Sequence, residues 1–149
     1  MLPELTTNQK GALAETKIAA AAIELGIDVY RPFGDGGRYD LIFDLGGILV
    51  RVQCKWALRR GAVVTVACYS ARRTRDGLIR RLYSPDEIDA YAAYCAELDR
   101  CYFLWMSAFA DRSQVQLRLE PPINNQRALI NWARDYEFAA TLRRRALGP

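Results

Sequence analysis

Histidine is absent from all 149 residues. That excludes Ser-His-Asp and Cys-His catalysis, His-ligated metal sites and His-based nucleases. Proton transfer near neutral pH is left to a carboxylate, a lysine, a tyrosine or a metal-bound water. No apolar run approaches the eighteen residues of a membrane-spanning helix. Met1–Lys10 lacks the charged-then-apolar layout of a secretion signal. The four cysteines, Cys54, Cys68, Cys95 and Cys101, show no CxxC spacing. The expectation is reduced core thiols in a cytoplasmic protein. Lysine is scarce too: only 3 of the 21 basic residues are Lys and 18 are Arg.

The chain has the 51% hydrophobic and 26% charged content of a folded protein, and its length suits a single domain over residues 1–149. Charge is unevenly placed. Arg51–Arg81 holds nine Lys/Arg and one acid, a net +8, while the remaining 12 basic and 16 acidic residues net −4. Such a layout favours a polyanion on one side of the molecule, and Arg binds phosphate in a two-pronged fork. The cations Arg59, Arg60, Arg72, Arg73, Arg75, Arg80 and Arg81 are the candidate DNA-binding residues, against a plain solvated loop.

Helix signals come first. Thr6 and Gln9 stand at capping-box spacing, residues 8–25 are Ala-rich, and Gly26 is a stop. Ile27–Arg31 reads as a short strand and Pro32–Gly37 as a loop. Arg38–Leu45 and Ile48–Trp56 alternate polar and apolar residues and are joined by Gly46-Gly47, a hairpin signal. Ala62–Cys68, Cys101–Met106 and Val115–Leu119 read as strands. Pro85 opens an expected helix through Glu97, and after the Pro121-Pro122 break Asn125 caps an expected helix over Gln126–Arg145. The pattern predicts an α/β or α+β fold, a mixed β-sheet flanked by helices.

A two-residue turn at Gly46-Gly47 pairs Leu45 with Ile48. Continued, that register sets Asp40 opposite Gln53 and Lys55 diagonal to Asp40, all on one face. A one-residue bulge would break the pairing. A carboxylate and an amide oxygen are hard ligands for Mg²⁺, and a neighbouring lysine can orient water and offset charge at a phosphate. The same residues would equally suit a polar hairpin face turned to solvent. Glu15 falls on a stripe with Ala12, Ala19 and Ala22, where a carboxylate needs a partner, such as a metal or Lys55, or a route to water. Asn124, Asn125 and Gln126 can read base edges or form a turn and cap. Tyr91, Tyr94, Trp105 and Trp132 suit the core or an interface. Arg143–Arg145 suit a helix C-terminus.

Glu15 on a first helix, then Asp40, then Gln53-Cys54-Lys55 on adjacent strands, resembles the PD-(D/E)xK nuclease superfamily with its restriction-endonuclease-like core. The resemblance is closest to the group I intron-associated homing endonuclease branch. Similar patterns are Gly11–Gly26 around Glu15, Tyr39-Asp40-Leu41-Ile42, Val52-Gln53-Cys54-Lys55, Tyr83…Asp89…Tyr91…Tyr94, and Pro122–Gln126 followed by Trp132, Ala133 and Tyr136. The resemblance implies a DNA endonuclease using Mg²⁺ or Mn²⁺. Asp40, Gln53 and the Cys54 backbone carbonyl would bind the metal. Lys55 would position or activate water, and Glu15 would serve as an outer or second-metal ligand. Tyr39 stands where the family has proline, and Gln53 where it has an acid, although the homing branch carries that Gln. The alternatives are an inactive DNA-binding module and a Holliday-junction-resolvase-like nuclease. One site per chain implies a homodimer, or the branch's homotetramer, on duplex or branched DNA, with Cys101–Met106 and the last helix as expected interfaces.

Overall fold

The computed structural model describes residues 3–124 and 129–142. The first helix, α1, spans Thr7–Glu24. Its capping box is complete: Gln9 N–H donates to Thr6 Oγ1 at 3.1 Å, and Thr6 N–H donates to Gln9 Oε1 at 2.9 Å. At the other end Gly26 takes φ +82°, and the Gly26 and Ile27 N–H groups donate back to Ile23 and Ala22. That closure satisfies two terminal carbonyls at a conformation only glycine adopts cheaply.

Five strands form the main sheet in the order β1 (Asp28–Tyr30), β2 (Leu41–Leu45), β3 (Ile48–Trp56), β8 (Ala90–Cys95), β9 (Arg100–Trp105). Only the β3–β8 pair is parallel. Gly46 and Gly47 both have positive φ, the requirement of a tight hairpin turn whose twist suits the strands. The register is the expected one from Leu45↔Ile48 to Leu41↔Val52.

Between β3 and β8 lie β4 (Leu58–Arg60), β5 (Val63–Ala67), and a two-stranded arm, β6 (Tyr69–Thr74) with β7 (Gly77–Leu82). After β9 come a short helix α2 (Met106–Phe109), β10 (Gln114–Arg118), a 3₁₀ turn (Ala133–Tyr136) and α3 (Phe138–Thr141). A second sheet runs β10-β5-β4.

The molecule has three layers. Ala14, Ile18 and Ala22 of α1, with Phe138 of α3, pack on Leu41, Phe43, Val50, Val52, Ala92 and Phe103 on one face of the main sheet. On the other face Tyr91, Ala93, Tyr102 and Leu104 meet Val64, Val66, Val115 and Leu117 of the small sheet.

Two expected helices are corrected. The segment after Pro85 makes one helical turn, with Ile88 N–H on the Ser84 carbonyl at 3.2 Å, and then becomes β8. Asp89 stops the helix: its N–H donates to the Arg51 carbonyl at 2.9 Å and its carboxylate holds the Arg51 guanidinium at 3.0 Å. All six residues of β8 are buried, because the strand is covered on both faces, and Ala-Tyr-Ala-Ala-Tyr-Cys therefore shows no alternation. The expected continuous helix over Gln126–Arg145 is also absent. Trp132 bridges to Arg118 and Glu137 to Tyr102, and extended backbone separates the 3₁₀ turn from α3. Asn125, Gln126 and Arg143–Arg145 lie outside the described residues. Cys101–Met106, expected as an interface, packs its Tyr102, Phe103, Leu104 and Met106 inside this chain's own core.

Candidate active site

Strand β2 loses its regular pairing at its first residue. Asp40 N–H donates to the Val52 carbonyl at 2.9 Å, although Leu41 is already the partner of Val52. Two residues thus oppose one, as in a bulge. Tyr39 accordingly packs with the opposite core cluster from Leu41 and Phe43. The expected Asp40–Gln53 face-to-face pair is therefore corrected. The Asp40 carboxylate reaches one residue further and accepts the Cys54 N–H on Oδ2 at 2.9 Å. Gln53, half-buried, donates from Nε2 to the Cys54 carbonyl at 3.3 Å. Asp40, the Gln53 amide and the Cys54 peptide are consequently linked at one point on β3.

Lys55 stands on the same strand. Its Nζ donates to the Tyr69 carbonyl at 2.7 Å and to Tyr83 Oη at 3.2 Å, and lies 4.7 Å from the centre of the Tyr83 ring. Burial pulls its pKa down to about 8, against the Asp40 charge, which pushes it up. Burial also lifts the Asp40 carboxyl above its usual range, while the Cys54 N–H and the Lys55 charge lower it. Glu15 is lifted first by burial and next by the Asp40 charge, and its ion pair with Arg31 at 3.4 Å opposes that. Glu15 is thus an electrostatic neighbour of Asp40. The buried helix face is Ala14, Ile18 and Ala22, with Ala12 exposed, so Glu15 lies at the margin of that face. The Cys54 thiol is held well above its normal pKa by burial, then by Asp40 and Glu15.

Sequence reasoning gave Arg38, Tyr83 and Glu87 no role in the site. Arg38 Nε sits 2.8 Å from Glu87, its Nη1 and Nη2 donate to Ser70 Oγ and the Leu82 carbonyl at 2.8 Å, and its guanidinium lies 4.0 Å over Tyr83. It ties the arm root to the residues that flank Asp40. The available signal was its position two residues before Asp40 on an alternating strand.

The expected phosphate contacts divide in two. Arg72, Arg73, Arg75, Arg80 and Arg81 are exposed on the arm, and Arg59 and Arg60 are exposed on β4. Arg81 also pairs with Glu87 at 2.9 Å, and Arg80 lies over the Tyr69 ring at 4.6 Å.

A family model described as PD-(D/E)XK endonuclease matches residues 5–139. The chain belongs to the PD-(D/E)XK endonuclease family. Its fold is similar to that of a bacterial homing endonuclease, I-Ssp6803I, with a TM-score of 0.74 and 27% identity over 91% of this chain and 90% of that one. No curated protein sequence matches it. The resemblance to the homing branch of the PD-(D/E)XK nucleases is thereby supported by both family and fold. No helix among the described residues is long and apolar enough to cross a membrane.

Donor chemistry tests whether the PD-(D/E)XK cation fits. Asp40 has a second carboxylate oxygen, Gln53 an amide oxygen and Cys54 a carbonyl oxygen, and all three are hard ligands. The nearby soft ligand is one thiol, Cys54, whose pKa burial pushes well above its usual value. The set fits Mg²⁺ or Mn²⁺ and not a thiolate metal. Among the described residues no three His, Cys, Asp or Glu side chains form a ligand cluster. A cation here has little charge to hold it without substrate phosphate.

Proposed function

We propose that the chain is a divalent-metal-dependent DNA endonuclease of the homing and restriction type, hydrolysing phosphodiester bonds with Mg²⁺ or Mn²⁺. The observation that carries this reading is the convergence of Asp40 and Gln53 on the Cys54 peptide, with the Lys55 charge near enough to act on Asp40, in a chain of nuclease family. Asp40, Gln53 and the Cys54 carbonyl would hold the cation, with Glu15 behind Asp40. When bound, the cation supplies Lewis acidity and offsets charge at the phosphate.

Lys55 handles the attacking water. Two of its hydrogens are directed to Tyr69 and Tyr83, which leaves one position of the amine for the water. There it orients the water and takes its proton. The water oxygen bonds to phosphorus, the bond from phosphorus to the 3′ oxygen breaks, and the leaving oxygen collects a proton from solvent. The products are a 5′-phosphate and a 3′-hydroxyl. The exposed arginines of β4 and the arm bind flanking phosphates.

Supercoiled plasmid with Mg²⁺ or Mn²⁺ tests the reading. Nicking is expected, and Lys55→Ala should reduce it at least about a hundredfold while DNA affinity stays within severalfold. Plasmid retarded without nicking, even in Mn²⁺, would make the chain a binding module, the reading that the neutral Gln53 favours. Competition between a four-way junction and linear duplex at fixed salt separates a resolvase from a duplex nuclease.

A further inference from the structure

The small sheet turns one face to the core and one outward. Register pairs Leu58 and Arg60 of β4 with Thr65 and Val63 of β5, and pairs Gln114, Gln116 and Arg118 of β10 with Ala67, Thr65 and Val63. Residues paired across strands share a face. Val64, Val66, Val115 and Leu117 are buried, so these eight side chains stand on the outer face. That face carries two amides, a hydroxyl, two guanidiniums and short apolar groups, and no carboxylate. Beside β10 it deepens into a groove of about 450 Å³ whose lining includes Arg112, Gln114, Gln116, Arg118, Asn124 and Asn131.

We infer, building on the nuclease reading above, that this face is the base-reading surface, seated in the major groove of duplex DNA. Gln114 and Gln116 meet base edges, and Arg60 and Arg112 meet phosphates. Dimensions agree for the pair that carries the amides: β10 and β5 together occupy about 10 Å, and the major groove, about 12 Å wide, admits a two-stranded ribbon. Same-face residues on β10 are about 6.8 Å apart, two base-pair steps of about 3.4 Å. Chemistry agrees as well. A glutamine amide matches the adjacent acceptor and donor of adenine, and Leu58, 54% exposed, offers contact to a thymine methyl. Charge agrees, since guanidiniums without a carboxylate suit a phosphate-lined groove. Position agrees too. Leu58 is three residues beyond Lys55, no more than about 10 Å along an extended chain. The small sheet thus begins within about 10 Å of the Lys55 backbone.

The experiment is selection from duplexes with a randomised centre, in EDTA so that nothing is cut. The wild-type chain should enrich a motif. A Gln114→Ala/Gln116→Ala variant should lose base preference at contiguous positions and bind the wild-type motif tenfold or more weaker, with an unrelated duplex held as before. The slope of log affinity against log salt should stay constant in that variant. Arg60→Ala and Arg112→Ala should each lower it by about 0.9. Gln116→Glu is the second variant; its carboxylate accepts from cytosine, so one motif position should move toward cytosine. Three results overturn the inference: no motif from the wild type, an unchanged motif from both Gln variants, or variants that change sedimentation mass and not motif. The last would mean that a second copy of the chain covers the face. Failure of the nuclease reading looks different: a motif is enriched, yet plasmid is never nicked in Mg²⁺ or Mn²⁺.

Discussion

Asp40 depends on a fault in its strand. Had β2 kept perfect alternation through Arg38, the carboxylate would face the Gln53 side chain. The bulge lets it reach the Cys54 N–H instead. The approach of residue 40 to the far end of β3 was legible because the diglycine turn fixes register by counting. The exact partner was not, because a bulge is decided by packing, here of Tyr39 into the opposite core. Arg38 and Tyr83 were illegible for a similar reason: they meet across 45 positions of chain, and only the folded arm joins them. At this scale the neutral amide of Gln53 is the distinctive choice. Gln53→Glu adds a charged oxygen beside Asp40, so titration calorimetry should show tighter Mg²⁺ or Mn²⁺ binding, by about tenfold, since one tenfold step needs only about 1.4 kcal/mol. Unchanged affinity would remove Gln53 from the ligand set.

Elements with local signals were readable and those made by distant pairing were not. The capping box and the Gly26 closure define α1 within its own sequence. By contrast β8 has helix-forming alanines and becomes a strand because β3 and β9 flank it. The junction that enforces this is Arg51–Asp89. Asp89 accepts the Arg51 backbone N–H at 2.8 Å, its Nε at 3.1 Å and its Nη2 at 3.0 Å. Those bonds, the Arg51 side chain first, hold the Asp89 carboxyl below its usual range. A depressed carboxylate contributes stability above its unfolded pKa, about 3.9, and loses it as pH falls through the lower folded value. The pair is about one-third exposed, so screening limits the effect to about 1 kcal/mol. Asp89→Asn should therefore lower the urea midpoint at pH 7, and the two midpoints should converge as pH falls below about 4. Midpoints that stay parallel would show that the ionised pair contributes nothing.

The arm is the other element that sequence hid, since residues 69–82 alternate weakly and carry arginines on both faces. A lone two-stranded ribbon is marginal in water. This one is anchored at its root by Arg38 on Ser70 and Leu82 and by Lys55 on Tyr69. Its Arg72, Arg73 and Arg75 are exposed and, on the nuclease reading proposed above, bind phosphate. Replacing all three with Ala should weaken DNA binding alike for every sequence and reduce the salt slope by about 2.7. A sequence-dependent loss would place these residues on bases instead.

At the scale of the whole molecule, the layers put Asp40, Gln53 and Lys55 toward one end of the main sheet, one candidate site among the described residues of each chain. Cutting both strands of a duplex then needs two chains, or two successive visits by one. The strand expected to join copies packs Tyr102, Phe103 and Leu104 within its own chain, and kinetics can detect an assembly without knowing which surfaces it uses. If copies act together, linear plasmid should appear directly from supercoiled plasmid, with a rate that rises faster than linearly with protein until the assembly is saturated. If single chains act in turn, nicked circles should accumulate first and the rate should stay proportional to protein. A mixture of wild type with excess Lys55→Ala sharpens the distinction. Mixed assemblies carry one working site, so excess variant should convert double-strand cuts into nicks, whereas independent chains would leave the ratio of products untouched apart from simple competition for DNA.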